Sequence, residues 1–123
     1  MFKSIRALSI YVTNMERAKK FYTEILEFDV SAELGPNLCF LKFKSGQIHI
    51  YLAGGKKPTS VDNQTSRLIF FWQAEKSAFE VYTALKTAGV KILQEAPQSV
   101  GDDTFCFQLE DPDGNIIEVA GEP

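Results

Sequence analysis

The second half of this chain repeats the first. Displaced by sixty residues, Ala18 falls on Ala78, Tyr22 on Tyr82, Thr23 on Thr83 and Val30 on Val90. Further on the displacement grows to sixty-seven, where Cys39-Phe40 falls on Cys106-Phe107. The hydrophobic pattern repeats more strongly than the identities do. Each half reads as a strand, one amphipathic helix and three more strands. A four-stranded sheet with one helix covers only one of its faces, so two such units leave two faces to be met by each other, by a partner or by a ligand. Such a repeat points to a binding cleft between its copies.

The first half opens with alternation from Ile5 to Val12, with Leu8, Ile10 and Val12 on one face and Ala7, Ser9 and Tyr11 on the other. Thr13-Asn14-Met15-Glu16 has the form of a capping box. Ala18, Phe21, Tyr22 and Ile25 then make one apolar helical stripe, expected to end near Glu27, with a left-handed residue at Asp29. Strands are expected around 28–34, 37–43 and 46–52, turned by Gly35-Pro36 and Ser45-Gly46. Residues 53–65, polar and rich in Gly and Pro, read as the linker, Gly54-Gly55 included. The second half reads as a strand near 66–73, a helix from about Glu75 to Ala88 capped by Gly89, and strands near 90–95, 104–110 and 115–120. Ala96 to Asp103 reads as a loop, and Asp111-Pro112-Asp113-Gly114 as a type I turn. The whole is one α+β domain over 1–123, with modules at about 1–52 and 66–123.

Composition bounds the function classes. At 123 residues the chain has about the length of one domain, and 45% hydrophobic residues with ten Phe suffice for a core. Lys and Arg form no basic stripe and the net charge is −3, which gives nucleic-acid binding little support and would tolerate a cationic ligand. No apolar run approaches membrane-spanning length. The start, MFKSIRALSIYV, lacks the pattern of a signal peptide, so a cytoplasmic protein is expected. In that compartment Cys39 and Cys106, at matching places in the two halves, read as small strand residues rather than as a disulfide.

Three segments carry a family resemblance: Val12-Thr13-Asn14-Met15-Glu16-Arg17-Ala18 with Phe21-Tyr22 and Leu26; Ala84-Leu85-Lys86-Thr87-Ala88-Gly89-Val90; and Asp111-Pro112-Asp113-Gly114-Asn115-Ile116-Ile117-Glu118. In these the chain resembles the vicinal oxygen chelate superfamily, which includes glyoxalase, bleomycin-resistance and extradiol dioxygenase proteins. The resemblance implies two βαβββ modules forming an open cup, with helices outside and a ligand inside, often on a divalent metal. It also implies metal ligands on the first and last strand of each module. Carried onto this chain, those positions hold Ala7, His49, Arg67 and Glu118.

Only His49 and Glu118 are of ligand type for Zn, Ni, Mn or Fe. Strand parity puts Gln47, His49 and Tyr51 on the cup face, with Ile48, Ile50 and Leu52 towards the helix. It likewise puts Ile116 and Glu118 in the cup, so His49 and Glu118 are expected to approach one another, with Arg67 and Phe71 nearby. Ala7 has no donor, and a guanidinium repels a metal. Two ligands fall short of the three that catalytic zinc sites keep.

The expectation is a small-molecule-binding protein with no cofactor, in which Arg67, Tyr11, Tyr51 and Phe71 contact a small organic ligand. A homodimer is expected, without nucleic-acid or membrane partners. One alternative is a divalent-metal lyase, isomerase or dioxygenase using His49 and Glu118. Another is a metal-free enzyme with His49 or Glu118 as acid or base and Arg67 as anion anchor. Whether the protein is an enzyme stays open at this point.

Overall fold

The computed structural model describes residues 1–45, 48–55 and 69–123. The chain divides into two compact units, Met1–Ser60 and Val61–Pro123, each built on the βαβββ plan. The fold class is α+β. Among the described residues no helix is long and apolar enough to cross a membrane.

In the first unit β1 (Ala7–Tyr11) leads to α1 (Met15–Lys20), which continues as a π-helical turn over Phe21–Ile25. Asn14 is the cap, its side-chain oxygen accepting from Arg17 N at 3.0 Å. In the π-turn Leu26 N donates to Phe21 O, five residues back, at 3.0 Å. The left-handed residue after this helix is Glu27 (φ 62°), not Asp29. The chain must reverse directly after the last helical residue, and by Asp29 it is already extended in β2 (Asp29–Glu33). β3 (Leu38–Lys42) and β4 (His49–Ala53) follow, in the order β1-β4-β3-β2 with β1 parallel to β4.

In the second unit β5 (Phe70–Gln73) precedes α2 (Ala78–Thr87). The helix starts three residues later than the expected Glu75, because Ser77 and Glu80 form a reciprocal capping box that fixes the first turn. β6 (Lys91–Ile92), β8 (Thr104–Glu110) and β9 (Ile116–Gly121) complete the order β5-β9-β8-β6. The expected loop at 96–103 contains a further strand, β7 (Gln98–Gly101), paired to β8. Asp102 and Asp103 both have positive φ (48° and 52°), the requirement of a two-residue type I′ hairpin, and Gly101 pairs with Thr104 across it.

Each sheet buries alternate residues under its helix. Ile10, Val12, Cys39, Leu41, Ile50 and Leu52 do so in the first unit, beneath Ala18, Phe21 and Tyr22. Phe107, Leu109, Ile117 and Val119 do so in the second, where Tyr82 meets Phe107 edge-on at 5.3 Å. Ile48, expected on that face, is instead exposed just before β4 begins. Gly54 does more than belong to a linker. A Cβ there would lie 3.1 Å from Asn37 Oδ1 and from the Met15 side chain, and one on Gly121 would lie 3.0 Å from Ala78 N. A glycine thus stands at the end of the last strand in the second unit, and directly after it in the first, where the first residue of the helix approaches.

Those glycines set the true register of the repeat. Val12 N donates to Ala53 O, and Ala74 N to Ala120 O, so β1 maps onto β5 at a displacement of 62 and β4 onto β9 at 67. Phe40 pairs with Tyr51 and Gln108 with Glu118, so β3 maps onto β8 at 68. The displacement of 67 that superposes Cys39-Phe40 on Cys106-Phe107 is therefore one residue short. A one-residue slip exchanges faces. Cys39 lies with Leu41 on the helix face, whereas Cys106 lies with Gln108 on the open face, and the two cysteines are not counterparts.

Candidate functional site

The open face of the first sheet carries two cross-strand rows. In one, Ala7, His49 and Lys42 stand side by side on β1, β4 and β3. In the next, Ser9, Tyr51 and Phe40 do so, with Tyr51 stacked on Phe40 at 5.1 Å and 29° between planes. Ser9 Oγ is a buried oxygen without a hydrogen-bond partner among the described residues. Tyr11, two residues on from Ser9, is half exposed on the same face. The row thus offers π-surface and one unsatisfied hydroxyl.

The counterpart row in the second sheet is Phe71, Glu118 and Gln108, extended by Gln94. Phe71 stands on the edge strand, 60% exposed. Gln108 Nε2 donates to Glu118 Oε2 at 3.0 Å. Gln94 Nε2 donates to Gln108 Oε1 at 3.2 Å, and Gln94 Oε1 accepts from Gln108 N at 2.6 Å. Leu93 N donates to Gln108 O at 2.9 Å, which ties this segment to β8. From the helix face the Tyr82 hydroxyl reaches Gln94 O (2.9 Å) and Glu95 O (2.6 Å). Beside this row sits Cys106, whose thiol is pushed above its ordinary value by burial and, secondarily, by the Glu118 charge.

The candidates that sequence reasoning grouped are distributed over both units. His49 belongs to the first unit and Glu118 to the second. The repeat mate of Glu118 is Tyr51, and that of His49 is Ile116. Tyr51 and His49 share the open face of β4, and Phe71 adjoins Glu118 directly. By the same register the counterpart of Ala7 is Ile69. Arg67 lies outside the described residues, as do Ser66 and Gln47.

Neither unit by itself, among its described residues, completes a ligand set for a divalent ion. His49 is flanked by a methyl group and by the Lys42 cation. Glu118 is flanked by a phenyl ring and an amide that already donates to it. Among the described residues no three His, Cys, Asp or Glu come together as a metal-holding group.

Sequence reasoning missed Phe40, Gln94 and Gln108 because it followed the first and last strands only. The signal for Gln108 was present in β8. There Phe105, Phe107 and Leu109 alternate with Cys106, Gln108 and Glu110, which places the amide on the open face.

Comparison with known proteins adds the family. Residues 4–119 match the family model described as Glyoxalase/Bleomycin resistance protein/Dioxygenase superfamily. The uncharacterized protein YetH of Bacillus subtilis (strain 168) is 30% identical over 119 residues, covering 95% of this chain and 97% of YetH. The crystal structure of TnmS3, an antibiotic binding protein from Streptomyces sp. CB03234, superposes with a TM-score of 0.74 at 19% identity, covering 99% of this chain and 98% of TnmS3. Lactoylglutathione lyase from Agrobacterium tumefaciens does so with a TM-score of 0.70 at 20% identity, covering 95% and 92% of the two chains.

Proposed function

The chain belongs to the Glyoxalase/Bleomycin resistance protein/Dioxygenase superfamily, and we propose that within it the protein is a metal-independent small-molecule binder, its ligand seated on the open sheet faces. The fold alone does not choose between readings, since it serves both an antibiotic-binding protein and a lactoylglutathione lyase. The side chains support the metal-independent one. The carrying observation is that the residue paired with each candidate ligand on the first strand of its unit has no donor atom: Ala7 beside His49, and Phe71 beside Glu118. Around those two positions stand groups suited to holding an organic molecule, the stacked Tyr51 and Phe40 rings and the exposed Phe71.

The test is elemental analysis of protein purified without a metal-binding tag or chelator, followed by melting curves with added Zn, Ni, Mn and Fe. The expected outcome is no stoichiometric metal and an unchanged melting temperature. About one metal per chain, with a stabilisation that grows with free metal and disappears in His49→Ala or Glu118→Gln, overturns the reading.

A further inference from the structure

We propose that Gln94 and Gln108 form a directional amide relay that aims the Glu118 carboxylate, beside the ring of Phe71, at an organic cation such as an amidinium or ammonium group. The inference rests on the ligand-binding reading above and names the class of ligand. Its direction follows from donor and acceptor types alone. The backbone N–H of Gln108 can only donate, so the Gln94 atom facing it at 2.6 Å is the oxygen. Gln94 then presents its NH2 to Gln108, and the atom 3.2 Å away is Gln108 Oε1. Gln108 is left with its NH2 towards Glu118, which accepts at 3.0 Å through Oε2. Both amides are fixed end for end by one main-chain donor, and the chain of bonds terminates on a group that accepts.

The start of the relay is anchored. Tyr82 holds the carbonyls of residues 94 and 95, and Leu93 bonds to β8. With Oε2 engaged, Oε1 remains as acceptor for a ligand. The next residue across the sheet is Phe71, paired with Glu118 and 60% exposed. A carboxylate oxygen next to an exposed aromatic face suits a cationic donor, which gains a charge-assisted hydrogen bond from one and a cation–π contact from the other. A carboxylate ligand meets repulsion at the same place. The net charge of −3 acts in the same sense. Gln94 and Gln108 are positioning residues here, and Glu118 and Phe71 are the contacts.

Benzamidinium and benzoate share a ring and differ in charge, and serve as probes for 15N-labelled full-length protein whose metal content has been measured. Benzamidinium is expected to shift the Gln108 side-chain amide and the Phe71 and Glu118 backbone signals saturably, and benzoate to leave them in place. Glu118→Gln should weaken benzamidinium binding about tenfold, the effect of losing a charge-assisted bond. Gln94→Glu provides the deciding variant. It keeps the acceptor for the main-chain N–H of residue 108, and so the structural bond, but cannot donate to Gln108 Oε1. If the relay operates, binding falls although a negative charge has been added. Gln108→Met should weaken binding as well, with the fold checked by its spectrum.

Unchanged or tighter benzamidinium binding in Gln94→Glu overturns the relay. Benzoate binding as well as benzamidinium, or no saturable shift with benzamidinium, overturns the assignment of ligand class. Failure of the metal-independent reading is separate, because it appears as stoichiometric metal before any probe is added, and the relay is then judged on stripped protein.

Discussion

Two rows of side chains occupy the same place in the two units and have opposite chemistry. Ser9, Tyr51 and Phe40 cross the first sheet where Phe71, Glu118 and Gln108 cross the second. The first is held by ring stacking at 5.1 Å, the second by hydrogen bonds running from Gln94 to a carboxylate. The helix faces of the same strands have not diverged in kind: Ile50 and Leu52 answer to Ile117 and Val119, all buried. What the repeat conserves is therefore the packing that makes each unit fold. What it varies is the face that folding leaves uncommitted, and a ligand site can change there without cost to the core.

The contrast extends to the hairpins that close each sheet, where the largest effect is expected. Asp111 is the buried charged residue of the described structure, 5% exposed. Its Oδ1 accepts from Asp113 N (2.9 Å) and Asn115 N (2.8 Å), and its Oδ2 from Asn115 Nδ2 (2.8 Å). Asp111→Ala strands these donors inside the turn and should lower stability by about 2–4 kcal/mol. The link between β3 and β4 has no acidic residue, and Ser45→Ala there should cost less than about 0.5 kcal/mol. Urea denaturation of both variants checks this. Losses of similar size would mean that the two hairpins are held alike.

The ends of the helices give a paired test of intermediate size. After α2 the left-handed residue is Gly89 (φ 82°), and after the π-turn of the first unit it is Glu27 (φ 62°). No described residue lies within 4 Å of where a Cβ on Gly89 would sit, so a substitution there reports backbone strain. Gly89→Ala should cost about 1 kcal/mol. Glu27→Gly should relieve strain, although the freer unfolded chain offsets part of the gain, leaving about 0.5 kcal/mol of stabilisation. Melting temperatures moving in opposite directions are expected. Destabilisation by Glu27→Gly would show that the glutamate side chain contributes more than its backbone costs.

How legible these features were depends on what specifies them. Hydrophobic period showed both helices and most strands, and the sequence Asp111-Pro112-Asp113-Gly114 showed its turn, because each is written locally. β7 was missed because its signal was a pair of aspartates in left-handed conformation, a shape that Asp tolerates without demanding. The cysteine alignment failed for a different reason. Identity matching ignores the face a strand residue occupies, and only the pairing of Phe40 with Tyr51 and Gln108 with Glu118 reveals the extra residue. The two open-face rows of the candidate site were half legible. His49, Tyr51, Phe71 and Glu118 follow from parity, but which of them are neighbours is a matter of register, and register is fixed by pairing between distant segments.

Cysteine chemistry tests that register with the smallest effects. Cys39 is 1% exposed beneath α1, and Cys106 is 8% exposed on the open face. Burial pushes both thiols above the ordinary value of 9.0, with Glu33 adding to the shift at Cys39 and Glu118 at Cys106. A thiol whose value is raised on folding stays protonated in the native state when the unfolded chain has begun to ionise. Its contribution to stability is complete below about pH 9 and is lost as the pH rises through the native value. Stability should therefore decline on the alkaline side, and Cys39→Val should flatten part of that decline in urea melts between about pH 7 and pH 10. A small alkylating reagent should modify Cys106 before Cys39, slowly at neutral pH and faster as the thiolate appears. Equal rates, or Cys39 reacting first, would place the two thiols on equivalent faces and return the strands to the displacement of sixty-seven.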